Sequence, residues 1–485
     1  MKYISVILLL VILFASCNKT SNFKNKTVSI QVELNKTNSI NYVFTPLDRK
    51  LNWMFGELIK DHSFNSMFDI SSPNLYQIQN NAYVFIEPGN NYDIKEIDST
   101  FTITGKDSIG QSFLNSTKTL NTYWSAGFVF DEFKTLKSKL KALDAYLASD
   151  FTTLDSLSKY KLVSDSFYKH IKKTLNSYLE VTKGQICTAH YFRTQLPINN
   201  PNYINNLSES AINYWSQLYK HTPVTNKNII ENEFWYNYTH DYIFYYRGEF
   251  LQHIFFDFDK DDYFTQCISF SKTILKDEYL EYFIASFIFN HAKQKGYQKN
   301  LITAYQRFIK TYPDSKYTQY LTPEINLIKI FHKKIKADFN DNMVFIKNPE
   351  KINTLKELIN LYNGQNIFID VWATWCGPCI EEFKHSKILY SFLKKHDIKL
   401  VYLSFDENRT MKKWPEMIKY YNLEGDHIRN NDKLHKDLLK EFGSENISIP
   451  WYMIVNKKGE VVERHAKRPS DKDELYNQLQ EKLAL

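Results

Sequence analysis

The sequence predicts a multidomain α+β protein: a C-terminal α/β domain over 336–485, preceded by a β-rich domain over 27–112 and a helical region over 113–335. Three observations carry that expectation. An apolar run, Ile367-Phe368-Ile369-Asp370-Val371-Trp372-Ala373, leads into Trp375-Cys376-Gly377-Pro378-Cys379 and then into a stretch free of Gly and Pro, Ile380 to Asp397. That is the order of a buried parallel strand, a turn and a helix. Between 27 and 112, short segments such as Val28-Ser29-Ile30-Gln31-Val32 and Phe101-Thr102-Ile103 alternate apolar and polar residues, as strands do. From 113 to 335 apolar residues recur at helical spacing, as in Phe133, Leu136, Leu140, Leu143, Tyr146 and Leu147.

The N-terminus comes first in the chain. Lys2 precedes an apolar run from Ile4 to Ala15, too short to span a bilayer comfortably. It ends in Leu13-Phe14-Ala15-Ser16-Cys17, small residues before a cysteine, which resembles the bacterial lipoprotein box. That resemblance implies a signal peptide over 1–17, lipidation of Cys17 and a polar tether over 18–26. An ordinary signal peptide with a chance cysteine is the alternative. The tether lacks the acidic cluster that resembles a surface-export signal, so a cell-envelope anchor facing the periplasm is expected. No other run of eighteen apolar residues occurs, so no transmembrane helix is expected in the mature chain.

Tyr83-Val84-Phe85-Ile86 is a short apolar strand, and Glu87-Pro88-Gly89-Asn90-Asn91 is a turn directly after it. This segment resembles the small β-sandwich domain that precedes such C-terminal domains in Bacteroidetes-type lipoproteins. In the helical region, Tyr305, Phe308, Ile309 and Tyr312 followed by Pro313 form a helix with its stop signal. Tyr242, Phe244, Tyr245, Tyr246, Phe255 and Phe256 read as packing between helices. Asp257 to Asp262 is no calcium loop, because Asp262 stands where Gly is needed and Ile268 where Glu is needed. Cys187 and Cys267 are lone, distant and expected to be buried small hydrophobes.

Composition fits a large globular protein, with 43% hydrophobic and 16% aromatic residues, enough for more than one core. The net charge of +7 is spread among Asp and Glu with no basic block. A nucleic-acid partner is therefore not expected.

The chemistry is concentrated at the cysteine pair. Only the thiolate attacks a disulfide. The first turn of a helix offers unpaired N–H groups and the positive end of the dipole. Cys376 at that turn is the expected nucleophile, and Cys379, within one turn, the resolving thiol. Pro378 suits an early helical position, where its missing N–H is not needed. Gly377 lets a partner chain approach, and Trp375, Gly377 and Pro378 are expected to line the substrate contact. Two other readings compete. A structural zinc site needs further Cys or His ligands at close spacing, which this sequence does not supply. A purely structural bridge across so short a loop gains little from cross-linking. No cofactor or metal is called for. Asp370, six residues before Cys376, is expensive to bury unpaired and could take the proton from Cys379 as a mixed disulfide resolves; an aspartate facing solvent at a strand end is the other reading.

Phe368-Ile369-Asp370-Val371-Trp372-Ala373-Thr374-Trp375-Cys376-Gly377-Pro378-Cys379 resembles the active-site segment of thioredoxins. Ser448-Ile449-Pro450-Trp451-Tyr452-Met453-Ile454-Val455-Asn456-Lys457-Lys458-Gly459-Glu460-Val461-Val462 is similar to the same family's "Ile-Pro, strand, Gly turn, strand" segment. The resemblance implies a C-terminal thioredoxin fold, a cis Pro450 facing the cysteines, and an Ile449 backbone that pairs with an extended substrate chain. Within that superfamily the closer likeness is to TlpA/ResA-like membrane-tethered thiol–disulfide oxidoreductases. It rests on Val401 to Glu407 followed by Met411 to Tyr421, on Arg468-Pro469-Ser470, and on Glu382, which matches an acidic position that assists proton transfer or substrate fit. A surface-helix residue is the other reading of Glu382, and neighbouring Glu381 reads as merely solvated. The family usually has Pro after Phe383; here Lys384 leaves the helix kink open.

The Gly-Pro dipeptide resembles reducing thioredoxins. The expected function is a membrane-anchored periplasmic disulfide reductase, with disulfide-containing envelope proteins as substrates, apocytochromes or misoxidised proteins among them. A membrane thiol electron donor would restore the dithiol. The alternatives are a disulfide oxidase or isomerase on the same site, and a binding lipoprotein whose thioredoxin domain is accessory.

Overall fold

The computed structural model describes residues 27–33, 45–46, 63–70, 72–79, 82–97, 100–406, 411–444 and 446–485. The expected signal peptide with Cys17 and the tether over 18–26 lie outside the described residues. The chain divides into two compact units, Met1–Phe287 and Ile288–Leu485.

Among the described residues of the first unit, seven strands form two sheets. They are β1 (Thr27–Glu33), β2 (Thr45–Pro46), β3 (Ser63–Asp69), β4 (Asn74–Gln79), β5 (Ala82–Ile86), β6 (Asn91–Ile97) and β7 (Thr100–Gly105). One sheet has the order β3-β1-β6-β7 and the other β2-β4-β5. The alternation read from the sequence becomes a burial alternation. Val28, Ile30 and Val32 of β1, Ile94 of β6 and Ile103 of β7 share one core with Tyr76, Val84 and Ile86 of the other sheet. Two sheets closed on one apolar layer make a sandwich. Gly89 takes a left-handed φ of 75° in the turn between β5 and β6, and the Asn90 amide donates to the carbonyls of Glu87 and Pro88.

Helices follow. Leu136–Lys159 begins in a capping box between Thr135 and Ser138, and Asp165–Phe192 begins on the Ser164 hydroxyl. Phe133, included in the helical pattern, lies ahead of the first of these helices, because the cap at Thr135 fixes the start. Tyr242 to Tyr246 sit in a π-helical stretch, Asp241–Phe250, that periodicity of 3.6 does not reveal. Their rings pack on Trp215, Tyr219 and Phe283. Phe255 departs from the packing expectation and is 67% exposed. Cys187 and Cys267 are buried and unbridged, and burial pushes the Cys267 thiol up to about 12. No helix among the described residues is long and apolar enough to cross a membrane.

The second unit contains the helices Asn300–Thr311 and Thr318–Lys334, then a mixed six-stranded sheet. Its strands are β8 (Met343–Phe345), β9 (Asn366–Trp372), β10 (Ile398–Ser404), β11 (Gly425–Arg429), β12 (Trp451–Val455) and β13 (Val461–Glu463), in the order β13-β12-β9-β10-β11-β8. β9 is central and every one of its residues is buried. It runs parallel to β10, as the apolar run predicts, and antiparallel to β12. Ile367, Ile369 and Val371 point into a core with Val401, Leu403, Ile428 and Met453. The other face of β9 carries Phe368, Asp370 and Trp372, because side chains alternate along a strand.

Gly425 shows how closely this sheet is drawn. Its φ is 151°, and a Cβ there would lie 2.8 Å from the Leu400 carbonyl oxygen. Gly425→Ala is expected to destabilise the second unit by more than about 1 kcal/mol, read as a lowered denaturant midpoint with an unchanged slope.

Candidate active site

The cysteines follow the C-terminal end of the central strand. β9 ends at Trp372, the chain turns through Ala373, Thr374 and Trp375, and a helix starts at Gly377 and runs to Glu382. Cys376 is the N-cap of that helix, and Pro378 occupies its first turn, as the sequence predicts. Cys376 and Cys379 are joined in a disulfide with Cα atoms 5.3 Å apart. The Cys376 sulfur accepts the Cys379 backbone N–H at 3.2 Å. That N–H is one of the donors a helix start leaves free, so the cap favours negative charge on this sulfur. Cys376 is 4% exposed and Cys379 fully buried, so the outer sulfur is Cys376. Gly377 and Pro378 are exposed, Trp375 is 60% exposed, and a Cβ at Gly377 would meet nothing within 4 Å. A substrate chain therefore has open space on this side of the pair.

The proline loop lies beside it. Trp451 pairs with Val371 across β12 and β9, which puts Pro450 at the level of Trp372, where β9 gives way to the cysteine turn. The Ile449–Pro450 bond is cis. Ile449 is partly buried against the core.

Asp370 is 3% exposed, so the solvent-facing reading of this residue does not hold. In register it is flanked by Tyr402 of β10 and Tyr452 of β12. Its Oδ1 has no hydrogen-bond partner, and neither has the Tyr452 hydroxyl. Burial first, and then the charge of Glu382, hold the Asp370 carboxyl well above the usual carboxylate range. Glu382 is 7% exposed rather than on a surface helix. Its carboxylate accepts the Ser470 N–H and the Ser470 hydroxyl, both at 2.9 Å. The sequence singles out Glu382 and Arg468-Pro469-Ser470 separately; only the fold joins them. Glu381 is not merely solvated: it forms ion pairs with Lys295 and Lys384.

The helix kink forms without proline. Gly377–Glu382 gives way to a 3₁₀ turn, Phe383–His385, before the helix resumes over Ser386–Lys395. The buried Phe383 ring explains the break, since it is held edge-on against Trp372 and packs on Tyr421. A stretch lacking Gly and Pro reads as one helix locally, and tertiary packing divides it in two.

Asp406 is a residue that sequence reasoning passes over. It is 2% exposed and lies just beyond β10. Its carboxylate accepts the Thr374 N–H at 3.0 Å, the Thr374 hydroxyl at 2.5 Å and the Ser404 hydroxyl at 2.8 Å. Thr374 is two residues before Cys376, so this carboxylate pins the turn that leads into the cysteine pair. The available signal is an acid directly after an apolar strand with Ser two residues ahead. Asp406→Ala would leave three buried donors unpaired. It is expected to destabilise the domain by about 3 kcal/mol, measured as a shift in the denaturant midpoint of the oxidised protein.

Residues 339–479 match the Redoxin family. The thiol-disulfide oxidoreductase ResA of Bacillus thuringiensis subsp. konkukian is 25% identical over 118 residues, 24% of this chain and 64% of that protein. ResA of Geobacillus kaustophilus is 33% identical over 46 residues, 10% of this chain and 26% of that protein. This chain thus spans less than two thirds of the length of these relatives. Among solved structures, the thioredoxin domain of a thiol-disulfide oxidoreductase from Bacteroides vulgatus aligns with a TM-score of 0.22 and 20% identity, over 25% of this chain and 81% of that one. Over residues 339–479, then, this chain is similar to the Redoxin family, and within its C-terminal region to ResA thiol-disulfide oxidoreductases.

Proposed function

We propose that this protein is a thiol–disulfide oxidoreductase that reduces disulfides of cell-envelope proteins while anchored to the membrane through Cys17 and facing the periplasm. One observation carries the redox reading: a bonded Cys376–Cys379 pair at a helix N-cap, with the outer sulfur bordered by exposed Trp375, Gly377 and Pro378. The lipoprotein-like Leu13 to Cys17 segment and its polar tether support the anchor and the compartment.

In the reduced protein, the Cys376 thiolate attacks one sulfur of a substrate disulfide. An S–S bond forms to Cys376, and the other substrate sulfur leaves as a thiolate. Cys379 then loses its proton to Asp370 and attacks the Cys376 sulfur. The second substrate sulfur leaves and the Cys376–Cys379 disulfide closes. The substrate has gained two electrons, and a membrane thiol donor returns two electrons and two protons to the pair. Pro450 and the Ile449 backbone hold the substrate as an added extended segment, and Glu382, held by Ser470, adds its charge to the burial that raises Asp370.

Equilibrating the protein with glutathione of defined ratio, and reading the Cys376–Cys379 state by alkylation, tests the direction. A potential below that of the glutathione pool supports the reductase; one well above it assigns the site to an oxidase or isomerase. No exchange at either extreme would leave the domain as an accessory to a binding lipoprotein.

A further inference from the structure

The segment 294–298, ahead of the helix Asn300–Thr311, reaches the active-site helix. Lys295 of this segment forms an ion pair with Glu381, which lies on the helix capped by Cys376. Tyr297 stacks on Phe331 with ring centroids 4.3 Å apart, and its hydroxyl meets that of Tyr421. Tyr421 in turn packs on Phe383, the residue that ends the active-site helix, and Phe383 packs on Trp372 at the end of β9. Lys295 and Tyr297 both hold left-handed backbone, with φ of 53° and 54°. Two non-glycine residues in that region, one on either side of Gly296, persist only where their surroundings determine them. The contacts made by Lys295 and Tyr297 come from outside the thioredoxin-like segment.

We propose that Lys295 is a positioning residue for the redox pair: by pairing with Glu381 it keeps a negative charge on the active-site helix from opposing the Cys376 thiolate. This rests on the redox reading of Cys376. Glu381 lies five residues after Cys376, roughly 7–8 Å along a helix axis. Three groups face Glu381: Lys295 from the segment 294–298, Lys384 from the 3₁₀ turn Phe383–His385, and Tyr421 from the helix Lys413–Tyr421. Around the base of the cysteine turn lie Asp370 and Tyr452 of the sheet and Glu382 of the helix, with Arg468 and Asp471 acting on Tyr452. Burial would raise the Glu381 carboxyl, and pairing with Lys295 and Lys384 outweighs it and holds the group below its usual range, so this helix carries a negative charge near neutral pH. The Lys295–Glu381 pair is partly exposed, with side-chain exposures of 30% and 50%, so the coupling is modest.

The test follows the rate of Cys376 alkylation against pH in the reduced full-length protein. Lys295→Met is expected to raise the Cys376 midpoint by roughly 0.3 pH unit and to slow alkylation about twofold below it. Lys295→Arg should restore the wild-type profile. In a Glu381→Gln background, where no ion pair holds Lys295 beside the helix, Lys295→Met should shift the midpoint by clearly less. The shift should also fade in about 1 M salt, where charges are screened within ~3 Å. Thermal melts of each variant verify that the fold is retained. A Lys295→Met profile that overlays the wild type overturns the proposal. So does a shift that survives both Glu381→Gln and high salt, since that would be a packing effect. A wild-type protein that exchanges with no disulfide would sink the redox function instead, while leaving the charge coupling readable.

Discussion

Replacing Cys376 by serine is expected to abolish disulfide exchange, and replacing Cys379 by serine to stop it one step later. The asymmetry follows from position. Cys376 caps the helix and is the outer sulfur; Cys379 is fully buried behind it. A hydroxyl at 376 cannot serve as the thiolate, so turnover should fall at least about 10³-fold. With serine at 379 the first attack proceeds and the mixed disulfide has no intramolecular exit. It should accumulate, and mass spectrometry of non-reduced samples should find substrate on Cys376. Equal loss in both variants with no covalent adduct would place the nucleophile elsewhere. An adduct on Cys379 in the Cys376→Ser protein would reverse the roles.

Asp370→Asn is expected to stabilise the protein while slowing the resolving step. The acid is buried, one of its oxygens is unpartnered, and its pKa is raised by burial and by Glu382. A folded pKa above the unfolded one means that the folded state prefers the protonated acid. The stabilisation from that preference is complete below the unfolded value of about 4 and is lost as pH rises through the folded value. Near neutral pH the wild type therefore carries a penalty that the amide removes. The variant should be more stable there by about 1–3 kcal/mol, with the difference vanishing below about pH 4. Resolution should show the opposite cost. In the wild type, decay of the mixed disulfide should accelerate as pH rises through the Asp370 pKa. In the variant it should be slower by at least about tenfold and lose that inflection. Denaturant titrations at two pH values and quenched-flow trapping read the two effects separately. A variant less stable than wild type at neutral pH would refute the buried, uncompensated acid.

The local elements were readable because their signals are short in range. Alternation in Val28 to Val32, the apolar run Ile367 to Ala373, and the Pro313 stop are each settled by a few neighbouring residues. The cysteine turn is equally local: a Cys-x-x-Cys after a buried strand places both sulfurs within one helical turn whatever else the chain does. The helix break at Phe383 was not readable, because Lys384 carries no breaking signal and the cause is a ring held by Trp372 and Tyr421. The π-helix over Asp241–Phe250 was hidden for a related reason: its side chains fit a tertiary aromatic cluster rather than a fixed local period.

By itself, then, the sequence determined the chemistry on offer: which sulfurs, in which order, at the start of which helix, with an aspartate in the strand below. Long-range proximity was decided only by the tertiary structure. It brought Asp406 under Thr374, Ser470 onto Glu382 and Lys295 onto Glu381, pairs separated by 32, 88 and 86 residues. The reason is physical. A carboxylate's partner is chosen by where the packed elements leave a donor within hydrogen-bonding distance, and no property of the carboxylate's own neighbours in sequence records that choice.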